Sequence, residues 1–351
     1  MKRILALALS LAMAISLTAC GSKEETPAAP AASTPAVSAP AASTPEDVAW
    51  PTENVTLVVS AAAGGGTDLT ARAMANVMSS YSSASFGVEN KTEGGGVPGW
   101  EEVRTSDPEV CDQLVFWLTG MYMNYLSGMI DIHPVEDFVT VWSAASGNDY
   151  FLVANKNAPY DTLEELVAYT HEHPGEITIG SPPNSMTTLW ISHMEEQTGI
   201  EWSVVAAETD AVAIGNVMGG TMDLYLTNQG TTDQYYAADE VKVLCNIHGD
   251  TTIGSEKLLA VPTLEELGFE NTNIKNNFIV LAPKGADQAV YEKMNQYFQD
   301  AFHSDEFKAD MEKRSASYIE VGDFATTQTT IASIWENFSG LWDAYMAKQG
   351  G

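Results

Sequence analysis

The sequence predicts an α/β protein of two lobes joined by two chain crossings. Three observations predict it. Strand-like and helix-like patterns alternate along most of the chain; roughly 300 residues remain after the N-terminal segments, too many for one comfortable core; and the stretches after the strands are rich in Gly, Ser, Thr and Asn. Alternation of this kind favours right-handed crossovers onto a mostly parallel sheet with helices on both faces, and ligands then gather at the strand C-terminal ends.

The first lobe begins with a strand at Val55 to Val59, a loop A-A-A-G-G-G-T-D, and a helix over Leu69 to Ser80. β-prone residues set the strand, and apolar residues at helical spacing set the helix. Such a loop aims backbone N–H groups at one point, at the positive end of a helix dipole, which suits an anion. Neither a Walker-type nor a dinucleotide fingerprint is present, so a phosphate is disfavoured. The same glycines also fit a plain tight turn with Asp68 as a helix cap. A strand at Ser85 to Val88, a helix at Trp100 to Thr105, a strand at Leu114 to Thr119 and a helix start at M-Y-M-N-Y-L follow. Val139 to Ala144 leaves the lobe as a strand, with Ser146 at the crossing.

The second lobe opens at Tyr150 to Asn155. Helices at Leu163 to Glu172 and up to Gln197, a strand at Ile177 to Ile179, and a strand at Trp202 to Val205 come next. A helix at Ala211 to Met218 and strands at Met222 to Leu226 and Val241 to Ile247 complete the lobe. Phe278 to Ala282 returns to the first lobe, and two amphipathic helices around Ala289 to Phe302 and Thr327 to Lys348 close the chain. The expected boundaries are 48–148 with 276–351 for lobe 1 and 149–275 for lobe 2. Closure would turn on the two crossings.

The N-terminus reads as export machinery. Lys2 and Arg3 precede an apolar run from Ile4 to Leu17, then L-T-A-C, so 1–19 is expected to be a signal peptide. Residues 20–47, Ala, Pro, Ser and Thr with little else, cannot bury a core and read as a tether of ~25 residues. With 47 acidic against 16 basic side chains, and Lys2 and Arg3 lost with the signal, the mature chain carries about −33. Nucleic acid and anionic membrane surfaces are therefore poor partners. Of three cysteines, Cys111 and Cys245 are assigned to different lobes and are expected to be buried free thiols.

Chemistry is hard to find. G-x-S-x-G and H-E-x-x-H are absent, and His171 and His173 sit on different faces of a helix end. No catalytic residue, metal or cofactor is assigned. Binding is better supported: neutral donors in the loops at Ser60 to Asp68, Gly94 to Gly99, Thr119 to Tyr122, Ser143 to Asn148, Ser181 to Thr188, Ala206 to Asp210 and Thr227 to Gln229 can converge on a carboxylate. Two or three aromatics among Trp100, Trp117, Tyr122, Tyr125, Trp142, Tyr150 and Trp190 are expected to line the cleft.

Six segments in order carry a family likeness: x-x-x-x-G-G-G-T-D-x-x-A-R, V-E-N-K-T-E-G-G-G-V-P-G (Val88 to Gly99), T-L-E-E-L with H-P-G-E-I, M-G-G-T-M-D-L-Y-L (Met218 to Leu226), V-P-T-L-E-E-L-G (Val261 to Gly268) and F-I-V-L-A-P-K-G (Phe278 to Gly285). Together they resemble the substrate-binding proteins of the tripartite tricarboxylate transporter family, the Bug or TctC-like receptors. The resemblance implies the type II periplasmic-binding-protein fold, a small organic acid as ligand, membrane transporter subunits as partners, and a monomer. The L-T-A-C box resembles a lipoprotein signal, which implies lipid on Cys20. Carried over by position, Gly65, Gly66, Thr67 and Asp68 match the first ligand loop, with the Gly65, Gly66 and Thr67 amides as the anion grip and Asp68 orienting the site. Ser181 and Ser185 match the loop opening the second lobe's first site helix, and Asn228 follows the strand facing the cleft. Thr119 and Ser146 join them as candidates from the loop edge. Two departures stand out: Ser60 and Ala61 replace the family's P-F, and A-A-E-T (Ala206 to Thr209) replaces P-Y-K-G. Gaining Glu208 moves the expected ligand away from a plain dicarboxylate and leaves open an amine-bearing solute facing Glu208 or Asp68, delivered to another transporter or a sensor. A surface-anchored hydrolase is the remaining alternative.

Overall fold

The computed structural model describes residues 48–146, 149–182, 185–207, 210–249, 254–270, 272, 275–314, 316 and 318–349. The expected signal peptide, Cys20, the tether and Glu208 lie outside the described residues.

Residues 43–351 form one compact unit. Its first part runs β1 (Val55–Val59), α1 (Gly66–Tyr81), β2 (Phe86–Asn90), a 3₁₀ turn (Glu93–Gly96), α2 (Val97–Arg104), β3 (Gln113–Leu118), α3 (Met121–Leu126) and β4 (Phe138–Ser146). Then come β5 (Tyr150–Asn155), α4 (Leu163–Glu172), β6 (Thr178–Ser181), α5 (Met186–Thr198), β7 (Ser203–Ala206), α6 (Asp210–Gly219), β8 (Leu224–Asn228), α7 (Gln229–Ala237), β9 (Val241–Asn246) and α8 (Glu256–Leu259). The chain returns through β10 (Asn277–Pro283), α9 (Gln288–His303), α10 (Asp305–Lys313), β11 (Tyr318–Glu320) and α11 (Phe324–Gln349).

Two sheets result, a six-stranded one ordered β11-β4-β10-β3-β1-β2 and a five-stranded one ordered β7-β6-β8-β5-β9. Each is mixed, which corrects the mostly parallel expectation. β1 pairs parallel with β2 and β3, and β6 pairs parallel with β7 and β8. β10 lies antiparallel to β3 and β4, and β5 antiparallel to β8 and β9. The reason lies in the crossings: β4 passes almost directly into β5 in the other sheet, and β10 returns between two strands already laid down. A parallel neighbour needs a crossover within one sheet, which these strands do not have.

Period-two alternation divides the core. Leu57 and Val59 of β1 face one side with Met74, Met78, Phe116, Trp142 and Phe298. Val58 faces the other with Trp100, Val115 and Tyr122, and this second cluster continues without a break through Phe338 to Trp190, Leu152, Ile179 and Leu226. Phe151, Val153, Ile214 and Val217 cover the outer face of the second sheet. Cys111 and Cys245 are buried free thiols, and burial pushes both up to about 12. Among the described residues no helix is long and apolar enough to cross a membrane.

Candidate functional site

Because β1, β2 and β3 run parallel, their following loops share one edge of the first sheet, and those after β6, β7 and β8 share one edge of the second. A cavity of about 270 Å³ opens between the two sets. It takes Gly120, Met123 and Asn124 from the start of α3, Asn276 from the return crossing, and Tyr150, Ser185, Thr187, Asp210 and Tyr225 from the second sheet's side.

The first loop leads into a helix start whose acid is already used, and none of residues 60–68 lines the cavity. Gly65 caps α1 through its backbone, and Gly64 takes a left-handed φ of 83° that favours glycine. Asp68 accepts from Gly64 N (2.8 Å), Arg72 Nε (3.0 Å) and Nη2 (2.9 Å), and Asn90 Nδ2 (2.8 Å). Burial pushes its carboxyl up, but the bonds from Arg72, Gly64 and Asn90 outweigh it and hold it below the ordinary value. Asp68 therefore fastens the loop and is not available to a ligand ammonium. The Gly65 amide is likewise spent, on Ala62 O at 3.1 Å. The Gly66 and Thr67 amides, in the first turn of α1, have no preceding helical carbonyl to bond. Ser60 lies buried beneath Gly96, where any Cβ would strike its side chain, and its hydroxyl has no partner. Ala61 turns its carbonyl to Asn90 Nδ2 at 2.9 Å.

Thr119 is fully buried and sews β3 to the return crossing: its hydroxyl donates to Lys275 O (3.0 Å) and accepts from Asn277 N (3.0 Å). That places it in the crossing and not on the cavity wall. Ser146 ends β4 opposite Tyr318; its side chain lies outside the described residues.

On the second sheet's side, Ser181 and Ser185 join a knot of hydroxyls. Ser181 Oγ lies 2.8 Å from Thr187 Oγ1 and 3.0 Å from Thr188 Oγ1, and Ser185 Oγ lies 2.7 Å from Thr187 Oγ1 and donates to Pro182 O at 2.7 Å. Ser185 caps α5 through its carbonyl, which takes the Thr188 amide at 3.0 Å, and not through its side chain, so among the described residues the Met186 and Thr187 amides stay open beside the cavity. Asn228 caps α7, accepting from Thr231 N at 3.1 Å, and its amide donates to Asp210 Oδ2 at 2.8 Å. Tyr225 donates to Asp210 Oδ1 at 2.6 Å. Burial first and this bond second raise the phenol's pKa, so Tyr225 stays a donor.

Tyr225 was not singled out from the sequence, and Thr187, Asp210 and Asn276 were marked only as members of candidate loops or of the return crossing. The tie of Asp210 to Tyr225, 15 residues on, follows from the pairing of β6 with β8. Of the seven candidate aromatics only Tyr150 lines this cavity; Trp100, Tyr122, Trp142 and Trp190 are core. A larger hollow of about 510 Å³ lies behind α5, against Trp202, Tyr345 and Lys348. Lys348 is already bound there to Ser192 O at 3.0 Å, and the loops of the first sheet do not reach it, so the smaller cavity is the better ligand site. Among the described residues no group of three or more His, Cys, Asp or Glu could hold a metal.

The family profile "Tripartite tricarboxylate transporter family receptor" matches residues 70–328. The chain belongs to this receptor family. Family members are extracytoplasmic substrate-binding receptors, not enzymes. Among similar proteins, a UPF0065 protein in the gbd 5′ region of Cupriavidus necator is 27% identical over 267 residues, covering 75% of this chain and 79% of that one. BugT of Bordetella pertussis is 25% identical over 262 residues, covering 73% and 78%. A ligand-free TctC solute-binding protein from Polaromonas superposes with a TM-score of 0.72 at 20% identity, over 84% of this chain and 99% of that one. The periplasmic binding protein BugD superposes at 0.60 and 20% identity, over 84% and 98%. The two-lobe periplasmic-binding-protein fold is thereby shown.

Proposed function

We propose that this receptor captures a small organic carboxylate in the cavity between its sheets and hands it to the membrane subunits of a tripartite tricarboxylate-type transporter. The observation that carries this reading is the cavity itself. Both sheets contribute to it, and its walls offer the Thr187 hydroxyl and the open Met186 and Thr187 amides at the first turn of α5, neutral donors that suit a carboxylate. Two solved structures of the same fold bear on it: a Rhodopseudomonas palustris protein described with adipate (TM-score 0.63) and one described with bound malate (0.59). The candidate residues fall into three roles: the Gly66 and Thr67 amides and the first turn of α5 that follows Ser185 grip the anion, Asp68 and Thr119 hold the loops, and Asn228 positions Asp210.

The protein acts as a monomer on a lipid anchor at Cys20, with 20–47 as the tether, and without a cofactor. Lobe 1 comprises 48–148 and 276–351, lobe 2 comprises 149–275, and they close on ligand. Calorimetry against mono- and dicarboxylates tests the ligand class: saturable binding of at least one acid supports it, and binding confined to sugars or other uncharged solutes defeats it. Cys20→Ser should release the protein from membranes, and a variant that stays bound removes the anchor.

A further inference from the structure

The cavity contains a negative charge, Asp210, that no described lining residue cancels. Asp210 is held by a phenol and an amide, the Tyr225 hydroxyl at 2.6 Å and Asn228 Nδ2 at 2.8 Å. Both are neutral donors. Each carboxylate oxygen thus keeps room for one more bond, and the charge remains. Asp68 is the contrast: its two oxygens are filled by four donors, two of them from the Arg72 guanidinium. Among the described residues lining the cavity there is no lysine or arginine. Asp210 stands in the first turn of α6, which supplies no full countercharge.

The surroundings fit a ligand that brings a cation with it. Ser185 and Thr187 present hydroxyls to the same cavity, beside the open first turn of α5, and Tyr150 and Met186 give it an apolar flank. A plain dianion entering would meet Asp210 as a like charge, within a chain whose formal charge is −31. Screening over ~8 Å removes most of the remote field but not a charge on the cavity wall. An ammonium group reverses the sign of that local interaction while leaving the carboxylate to the neutral donors.

We propose that Asp210 binds a cationic group of the ligand, so that the carboxylate captured here is a zwitterion of amino-acid type; this rests on the carboxylate reading above and narrows it. Tyr225 and Asn228 are positioning residues that aim the Asp210 oxygens and leave one lone pair of each directed to the ligand.

The test is titration calorimetry on matched pairs that differ by one amine: aspartate and succinate, glutamate and glutarate, leucine and 4-methylpentanoate, phenylalanine and 3-phenylpropionate. The aminated member of at least one pair should bind at least about thirtyfold tighter than its partner, the scale of losing one side of a buried charge pair. Asp210→Asn should weaken that aminated ligand by a similar factor and leave or improve the plain acid. The inference is overturned if plain acids bind the wild type as tightly as their aminated partners, or if Asp210→Asn leaves the amino-acid affinity within about threefold. Plain acids binding while amino acids do not would sink the inference and keep the carboxylate reading. Failure of all eight acids, with an uncharged solute binding instead, would sink both. The wild-type pairs decide the matter even if Asp210→Asn does not fold, and Asp210→Ser provides a second variant.

Discussion

Asp68→Asn separates a loop-fastening role for this acid from a ligand-binding one. The carboxylate is 1% exposed and collects four bonds from Gly64, Arg72 and Asn90. An amide in its place keeps one acceptor oxygen and turns an NH₂ toward donors on the other side, so about two bonds are lost. Bonds to a charged group contribute ~1.5–3 kcal/mol each. Arg72 is 44% exposed and can turn to water, which reduces its share. The expected loss is therefore about 2–4 kcal/mol, or a fall of ~4–8 °C in Tm for a chain of this size. Thermal unfolding followed by circular dichroism reads the first quantity, and calorimetry on folded protein reads affinity. Affinity should fall by less than about tenfold, because Asp68 acts only by placing the Gly66 and Thr67 amides. An unshifted Tm with binding lost by more than about a hundredfold would refute this reasoning and return Asp68 to the ligand. The sign with pH follows from its lowered folded pKa: the stabilisation is complete above the ordinary carboxylate range and is lost as pH falls through the folded value. Asp68→Asn should flatten that part of the acid limb.

His248 sets a second pH dependence. Burial first, and Lys275 second, lower its pKa to about 3, and its ring packs edge-on against Trp190 at 5.0 Å. The unfolded chain takes up this proton near pH 6.5 and the folded one resists it, so stability should decline below about pH 6.5 by up to ~1.4 kcal/mol per pH unit, less for a residue whose edge meets water. His248→Phe should remove that slope in urea titrations at pH 7 and pH 5; an unchanged slope would place the acid sensitivity elsewhere. Closure about the crossings should make the folded region more compact in small-angle scattering with ligand. An unchanged radius under saturating ligand counts against closure.

Local chemistry made most of the scaffold legible. The α4 bounds coincide with the sequence reading because Thr162 gives a cap bonded to Glu165 N and an apolar stripe follows. The glycine loop before α2 was legible because three successive left-handed glycines have few other uses. What the sequence hides is partnership over distance. Strand polarity depends on which sheet the crossing enters, so the antiparallel β5 and β10 looked like any buried apolar run. The use of Asp68 depends on Asn90, 22 residues away across the β1–β2 pairing, although Arg72 at the next helical turn was a visible partner. Thr119 had the right composition and the right loop, yet its hydroxyl is consumed by the return crossing. Tyr225 is buried in β8, and its value comes only from the acid brought beside it.

Where the ligand sits is tested most directly by a crystal structure of the complex with the tightest acid from the calorimetric panel. Density is expected between the two sheets, with a carboxylate against Ser185, Thr187 and the first turn of α5, and within hydrogen-bond reach of the Gly66 and Thr67 amides after closure. A ligand seated instead behind α5, against Trp202, Tyr345 and Lys348, would contradict it.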